Sequence, residues 1–159
     1  MKKQIPLCNV RIDGDTQIRT NINKDYVTEL CELLTVGQQL PPITVVYDGT
    51  NYWCADGFHR VLASERNKVE MIDAEIRNGT LDDARWFATG ANQSHGLRRS
   101  NADKQNAVRV ALELHPEMSD RAIAQHVGVG DRMVSAARPK NNCANNAVEK
   151  SNKTAKNET

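Results

Sequence analysis

Aromatic residues are scarce in this chain: two Trp, three Tyr and two Phe make up 4% of its 159 residues. So few rings disfavour base stacking as a way of holding single-stranded nucleic acid. Long apolar runs are missing as well. None approaches the ~18 residues that a membrane helix needs, and Met1-Lys2-Lys3 leads into no apolar signal-peptide core. With a mean hydropathy of −0.61, these absences predict a soluble, cytoplasmic chain with no membrane partner.

Paired cysteines are also lacking. Cys8, Cys31, Cys54 and Cys143 form no C-x-x-C, and no His stands at zinc-finger spacing from them. They read as reduced thiols, with neither a disulfide nor a metal expected. Cys31 and Cys54 lie inside apolar patterns, as small buried hydrophobes do.

Net charge is nearly absent, at +1. Taken alone, that value argues against a nucleic-acid partner. Its distribution argues the other way. Residues 1–84 carry about −4, residues 85–140 about +4 and the last 19 about +1, so a basic second half follows an acidic first half. Such asymmetry marks either a nucleic-acid-facing segment or a solvated basic face.

What is present is a clear succession of elements. Residues 4–12 read as a short strand running into the turn Asp13-Gly14-Asp15. Asn23 is placed to cap a helix in which Tyr26, Val27, Leu30, Leu33 and Leu34 recur at helical spacing until Gly37. After Pro41-Pro42, the β-branched and aromatic runs 43–47 and 52–55 flank Asp48-Gly49-Thr50 as a hairpin. A helix follows from near His59 to near Asn67, then a strand over 69–76. Thr80 and Asp83 fit a capping box for a helix carrying Trp86, Phe87 and Ala91. A further helix is predicted over 101–114, with Asn101 as its cap. The fold class is therefore α+β: an α/β unit over 1–80, a helical region over 81–138, and a disordered tail over 139–159.

Residues 119–138 have the layout of a helix-turn-helix. Ser119 caps the first helix, Ala122, Ile123 and Val127 give it an apolar face, Gly128 takes the turn, and Val134 anchors the second helix. In such a motif the second helix lies in the major groove of double-stranded DNA and its first residues meet base edges. Gly130, Asp131 and Arg132 would then face the DNA first, followed by Ser135, with Arg138 in reach of a phosphate and Ser119 and Arg121 also in the DNA-binding set. Arg98 and Arg99 add a basic cluster just upstream, placed to touch either the DNA backbone or a nucleotide triphosphate. An ordinary helical hairpin beside a solvated basic loop shares the same pattern.

The run Asp56-Gly57-Phe58-His59-Arg60 joins a strand to a helix. Backbone N–H groups at a helix N-terminus attract anions. Gly57 permits close approach, and His59 and Arg60 supply donors. Asp56 is suited to orient one of these cations, and Asp13 or Asp15 would have to fold nearby to complete a metal site. A surface turn with a His–Asp contact is the plainer reading of the same five residues.

Four segments in order resemble the ParB/sulfiredoxin superfamily, specifically ParB-like proteins with an N-terminal ParB domain and a helix-turn-helix. Thr16-Gln17-Ile18-Arg19 looks like the early Q-x-R element, and Leu40-Pro41-Pro42-Ile43-Thr44-Val45-Val46 like the L-x-P-I-x-V strand entry. Residues 56–60 fall on the phosphate box (G-E-R-R in chromosomal ParB, G-C-H-R in sulfiredoxin), and Ala91-Asn92-Gln93-Ser94-His95 on the later E-N-x-x-R box. The resemblance covers roughly residues 4–138. It implies a nucleotide- or phosphate-binding set of Gln17, Arg19, Asp56, Gly57, Phe58, His59, Arg60, Asn92 and His95, with CTP or ATP and Mg2+ as ligands. It also implies double-stranded DNA as partner, a role in plasmid or chromosome partition or in transcriptional regulation, and a bacterial, phage or plasmid setting.

The departures from the pattern are specific. Phe58 replaces the catalytic cysteine of sulfiredoxin, so sulfinic-acid reduction is not supported. Phe58 also replaces the Glu of the nucleotide-binding box, Ala91 the acid of the second box and His95 its Arg. These changes speak against CTP hydrolysis and leave phosphate recognition in place. No catalytic residue is assigned. The alternative is a ParB-type nuclease or nucleotide hydrolase acting through the 56–60 turn. Residues 139–159 hold too few apolar side chains to form a dimerisation core, so a homodimer would have to use the N-terminal part.

Overall fold

A computed structural model describes residues 1–91 and 97–139. Five strands form one mixed sheet: β1 (Lys2–Pro6), β2 (Val10–Arg11), β3 (Ile43–Tyr47), β4 (Tyr52–Asp56) and β5 (Met71–Asn78). The sheet order is β1-β5-β3-β4-β2. β1 runs antiparallel to β5 and β3 antiparallel to β4, whereas β3–β5 and β2–β4 are parallel. The helices are α1 (Lys24–Thr35), α2 (Phe58–Arg66), α3 (Leu81–Gly90), α4 (Asn101–Leu114), α5 (Asp120–Val127) and α6 (Asp131–Ala137). Among the described residues no helix is long and apolar enough to cross a membrane.

The expected single strand over 4–12 is in fact two strands. A 3-10 turn at Leu7–Asn9 separates β1 from β2, and the two occupy opposite edges of the sheet. Pro6 ends β1 and Leu7 turns inward, buried, with its N–H bonded to Glu70 O at 2.9 Å. Three residues reach no further than roughly 10 Å, while five flat strands would be about 19 Å across. The sheet is therefore curled, with its two edges drawn together.

Local signals account for most helix ends. Asn23 Oδ1 accepts the Tyr26 N–H and starts α1, and the Thr80–Asp83 capping box starts α3. The cap of α4 differs from expectation. Ser100, not Asn101, is its N-cap, because Ser100 and Asp103 form a reciprocal capping box that Asn101 is one residue too late to make. Ser119 caps α5 by accepting the Ala122 N–H, and Gly128 ends it in the left-handed region at φ 76°.

The apolar residues gather in connected layers. Ile5, Leu7, Ile43, Val45, Cys54, Val61, Ile72 and Ala74 fill the sheet interior. Val27, Leu30 and Ala63 join α1 to α2. Val46, Ala55 and Ala84, with Trp53 and Phe87 against them, pack α3 onto β3 and β4. A separate helical core holds Val108, Ala111, Ile123, Val127 and Val134, and Ile18 from the N-terminal half enters it. Each fully buried Val or Ile is worth about 1.5–3 kcal/mol. The segment 16–20 thus crosses between the two halves, and helix α3 touches both.

Candidate anion-binding cleft and nucleic-acid interface

A cavity of about 310 Å³ lies where the sheet, α2 and the helical region meet. Its walls bring together Gln17, Arg19, Asp56, Gly57, Phe58, His59 and Arg60, and add Thr16, Tyr26, Pro41, Ala88, Ala91 and Arg99. Asn92 and His95 lie outside the described residues. Asp13 and Asp15 do not join this group. They line a second cavity with Gln17, Arg85 and Arg109.

Gly57 is required at the N-terminus of α2. Its φ is 106°, and a Cβ there would sit 2.6 Å from Ile43 Cγ2. It offers no side-chain cap, so the first-turn N–H groups of α2 receive no acceptor from the cap residue. Arg60, one turn on, reaches back to Asp56 Oδ2 at 3.0 Å and to the carbonyls of Pro41 and Pro42. The guanidinium thereby fixes the Pro41-Pro42 entry to β3 against the turn.

His59 is buried, at 7% exposure. Its Nε2 accepts the Asn23 N–H at 3.2 Å, and Tyr26 packs edge-on at 5.4 Å. Burial, then the charges of Arg19 and Arg60, hold the imidazole pKa below its ordinary 6.5. Since Nε2 is an acceptor here, the proton of the neutral ring is on Nδ1.

Arg19 donates to the carbonyls of Leu97 and Arg98 and stands 3.8 Å from Asp103 Oδ2. Asp103, the capping-box acid of α4, also accepts the Thr20 N–H at 2.8 Å and the Thr20 hydroxyl at 3.0 Å. Asn106 Nδ2 donates to Ile18 O at 2.9 Å. Thr16, wholly buried, donates to Cys54 O at 2.5 Å. Segment 16–20 is held from both sides by these bonds. Thr16 stands in the 16–19 segment but outside the binding set that the resemblance implies, and Asp103 lies outside all four segments, although Ser100-x-x-Asp103 is itself a visible capping-box signature.

Arg99, offered by the sequence to either DNA or a nucleotide, lines the cleft. It donates to Ala88, Thr89 and Ala91 at the end of α3 and to Val127 at the end of α5. Burial and then neighbouring Arg19 lower its pKa from the ordinary guanidinium value. Arg138 is likewise committed: it donates to Asp120 at 2.7 Å and to the carbonyls of Pro116 and Met118. It ties the end of α6 to the loop before α5.

Helices α5 and α6 pack on each other and on α4. Ile123, Val127 and Val134 are buried between them. Ser119, Arg121, Gly130, Asp131, Arg132 and Ser135 remain exposed, as does Arg98. Among the described residues, the side chains of Arg98, Arg121 and Arg132 make no hydrogen bond or ion pair. His126 of α5 lies flat on Trp86 of α3, with ring centres 3.7 Å apart at 4°. Thr89 Oγ1 donates to Trp86 O, so His126 Nε2 must donate to both oxygens at 3.0–3.1 Å. Gly90 is needed beside it, because a Cβ would fall 2.7 Å from the His126 ring.

Cys54 is buried, which pushes its thiol pKa up, and Cys8, Cys31 and Cys54 are free thiols. Cys143 lies outside the described residues. Among the described residues no group of three or more His, Cys, Asp or Glu side chains is arranged to hold a metal ion.

No protein-family model matches the chain. Over 126 residues it is 32% identical to the "Streptomycin biosynthesis operon possible regulatory protein" of Streptomyces griseus, covering 79% of this chain and 35% of that one. Over 121 residues it is 30% identical to "Transcriptional regulator NovG" of Streptomyces niveus, covering 76% and 36%. The chain spans about a third of the length of these curated relatives. Among solved structures it is similar to the C-terminally truncated chromosome-partitioning protein ParB of Caulobacter crescentus complexed to the centromeric parS site. That match has TM-score 0.57 and 18% identity over 86% of this chain and 70% of that one. The same Caulobacter protein complexed with CTP-gamma-S matches with TM-score 0.50 and 17% identity, over 87% and 77%.

Proposed function

We propose that this chain, whose fold is that of the Caulobacter ParB structure, is a ParB-like DNA-binding protein serving transcriptional regulation. The observation that carries this reading is the α5–α6 pair. A left-handed glycine turn joins two short helices, their apolar faces are buried, and the outer surface keeps the guanidinium groups of Arg121 and Arg132 uncommitted. In that arrangement α6 enters the major groove and the N-terminus of α5 approaches the phosphate backbone. Regulation is preferred to partition because both curated relatives are described as regulatory proteins.

The cleft is proposed to hold a phosphate-bearing ligand, with CTP the nucleotide to test, since the Caulobacter neighbour binds its thio-analogue. Two observations fit an anion there: the α2 N-terminus lacks a side-chain cap, and Gly57 leaves a cradle that a Cβ would fill. The α2 N–H groups, the Nδ1–H of His59 and Arg60 would hold the phosphates. Asp56, paired with Arg60, limits the positive charge available. Among the described residues no cluster of carboxylates stands ready for Mg2+, and no hydrolytic or nucleolytic step is proposed.

The test is direct. Titrated with labelled duplex DNA, the full chain binds, and binding weakens as salt rises. Titrated with labelled CTP, it saturates, and Asp56→Asn binds CTP more tightly because the carboxylate that opposes the phosphates loses its charge. No duplex binding at low salt overturns the DNA reading. Intact DNA binding without CTP binding overturns the nucleotide reading alone.

A further inference from the structure

Among the described residues, the arginines from 99 onward fall into two groups. Arg99 and Arg138 are spent on backbone carbonyls, and Arg138 also on Asp120. Arg109 is paired with Glu113 and bonded to Asn106. Arg121 and Arg132 are exposed and make no side-chain hydrogen bond or ion pair among the described residues. The regional positive charge therefore overstates what is available to a partner.

Helix α6 sharpens the point. Val134 is wholly buried and Met133 packs against the helical core, which turns Asp131, Arg132, Ser135, Ala136 and Ala137 outward. Of these, Arg132 alone has a long donor side chain. Ser135 and Ala136, one turn later on the same face, are small enough for the backbone to approach a groove floor closely. Seven residues make a rod about 10 Å long and, with side chains, about 10–12 Å across, a diameter that fits a major groove about 12 Å wide. Asp131 opposes phosphate at that end, so the free guanidinium beside it is better used on a base edge.

We infer that Arg132 is the residue that determines sequence preference, by bidentate hydrogen bonding to the O6 and N7 of a guanine. Arg121 is a sequence-blind phosphate contact, and Arg109 contributes to neither. The inference rests on the DNA-binding reading above. Recognition by one copy is thus weighted toward a single G·C pair, with few phosphate contacts beneath it.

The full chain is used to select sites from a random duplex library. The wild type and the Arg132→Ala, Arg121→Ala and Arg109→Ala variants are then titrated with the selected and scrambled duplexes at several salt concentrations. Circular dichroism melts confirm folding, which these exposed truncations leave intact. Arg132→Ala loses preference at one G·C pair, by roughly 5- to 150-fold, and retains scrambled-duplex binding. Arg121→Ala weakens both duplexes equally and reduces the slope of log K against log salt by about 0.9. Arg109→Ala changes neither, although it removes the same formal charge. Full preference in Arg132→Ala, or a slope loss in Arg109→Ala equal to that in Arg121→Ala, overturns the inference while the DNA reading stands. Absence of duplex binding by the wild type overturns both.

Discussion

Asp103→Ala tests the joint between the two halves of the chain. The carboxylate is almost wholly enclosed and accepts the Thr20 N–H and hydroxyl on one oxygen and the Ser100 N–H on the other. Hydrogen bonds to a charged group are worth about 1.5–3 kcal/mol each, and a buried donor left without a partner costs about 1–3 kcal/mol. Three donors share one acceptor group, so their losses do not add. A net destabilisation of about 3–4 kcal/mol is expected, a large part of the ~5–15 kcal/mol typical of a domain. Asp103→Asn retains one acceptor oxygen but turns an N–H₂ toward the Ser100 N–H, and is expected to cost about 2 kcal/mol. Urea unfolding followed by circular dichroism gives both values. Trp53 in the sheet and Trp86 in the helical region report the two halves separately in Trp→Phe backgrounds. Their midpoints separate in Asp103→Ala, because the core that Ile18 enters loses its tether. A loss below about 1 kcal/mol for Ala, or an Asn variant as stable as wild type, refutes the reasoning. The pH dependence follows the same logic. Burial acts to raise the Asp103 pKa, but the bonds from Thr20 and Ser100 outweigh it and hold it below 3.8. Its stabilisation is therefore present above that pH and is lost as pH falls through the folded-state value.

Two further outcomes are expected. The folded-state pKa of His59 is depressed, so the unfolded chain takes the proton first; the stability His59 contributes is present above pH 6.5 and is lost as pH falls through the folded-state pKa. Urea unfolding at pH 7.5 and 5.5 shows a larger acid loss in wild type than in His59→Gln, and equal losses would remove the assignment of a neutral, Nδ1-protonated ring. Gly57→Ala combines a left-handed φ of 106° with a Cβ 2.6 Å from Ile43, so about 2–4 kcal/mol of destabilisation is expected. A thermal melt within a degree or two of wild type would show that the turn can relax.

Much of the scaffold is legible in the sequence because its signals are local. Asn23, Thr80 and Ser119 cap helices through bonds spanning three residues, and Asp48-Gly49 turns the hairpin through bonds from the Thr50 and Asn51 N–H groups to Asp48. The strand over 4–12 is misread for the opposite reason. Its split into two edge strands depends on Glu70 and on pairing partners 42 and 65 or more residues away. The cleft is legible as the 56–60 turn and residues 17 and 19, since these stand in ordered motifs. Arg99 and Asp103 are not, because Arg99 draws its meaning from the ends of α3 and α5, and Asp103 from Thr20 and Arg19, partners that only folding brings near.

The sparse aromatics and the split of charge, −4 before residue 85 and +4 after it, set the expectations with which the chain is first met. By itself the sequence determines the succession of helices and strands, the caps, the glycine turns at 57 and 128, and an excess of basic residues in the second half. Tertiary structure decides which of those basic residues remain available. A guanidinium carries five donors, and it stays free or becomes a staple according to whether carbonyls at a helix end lie within reach. For Arg99 and Val127, 28 residues apart, and for Arg138 and Asp120, 18 apart, that reach exists only once α3, α5 and α6 have packed. Arg121 and Arg132 are exposed and make no such bond among the described residues, and that exposure, rather than the charge count, leaves them available.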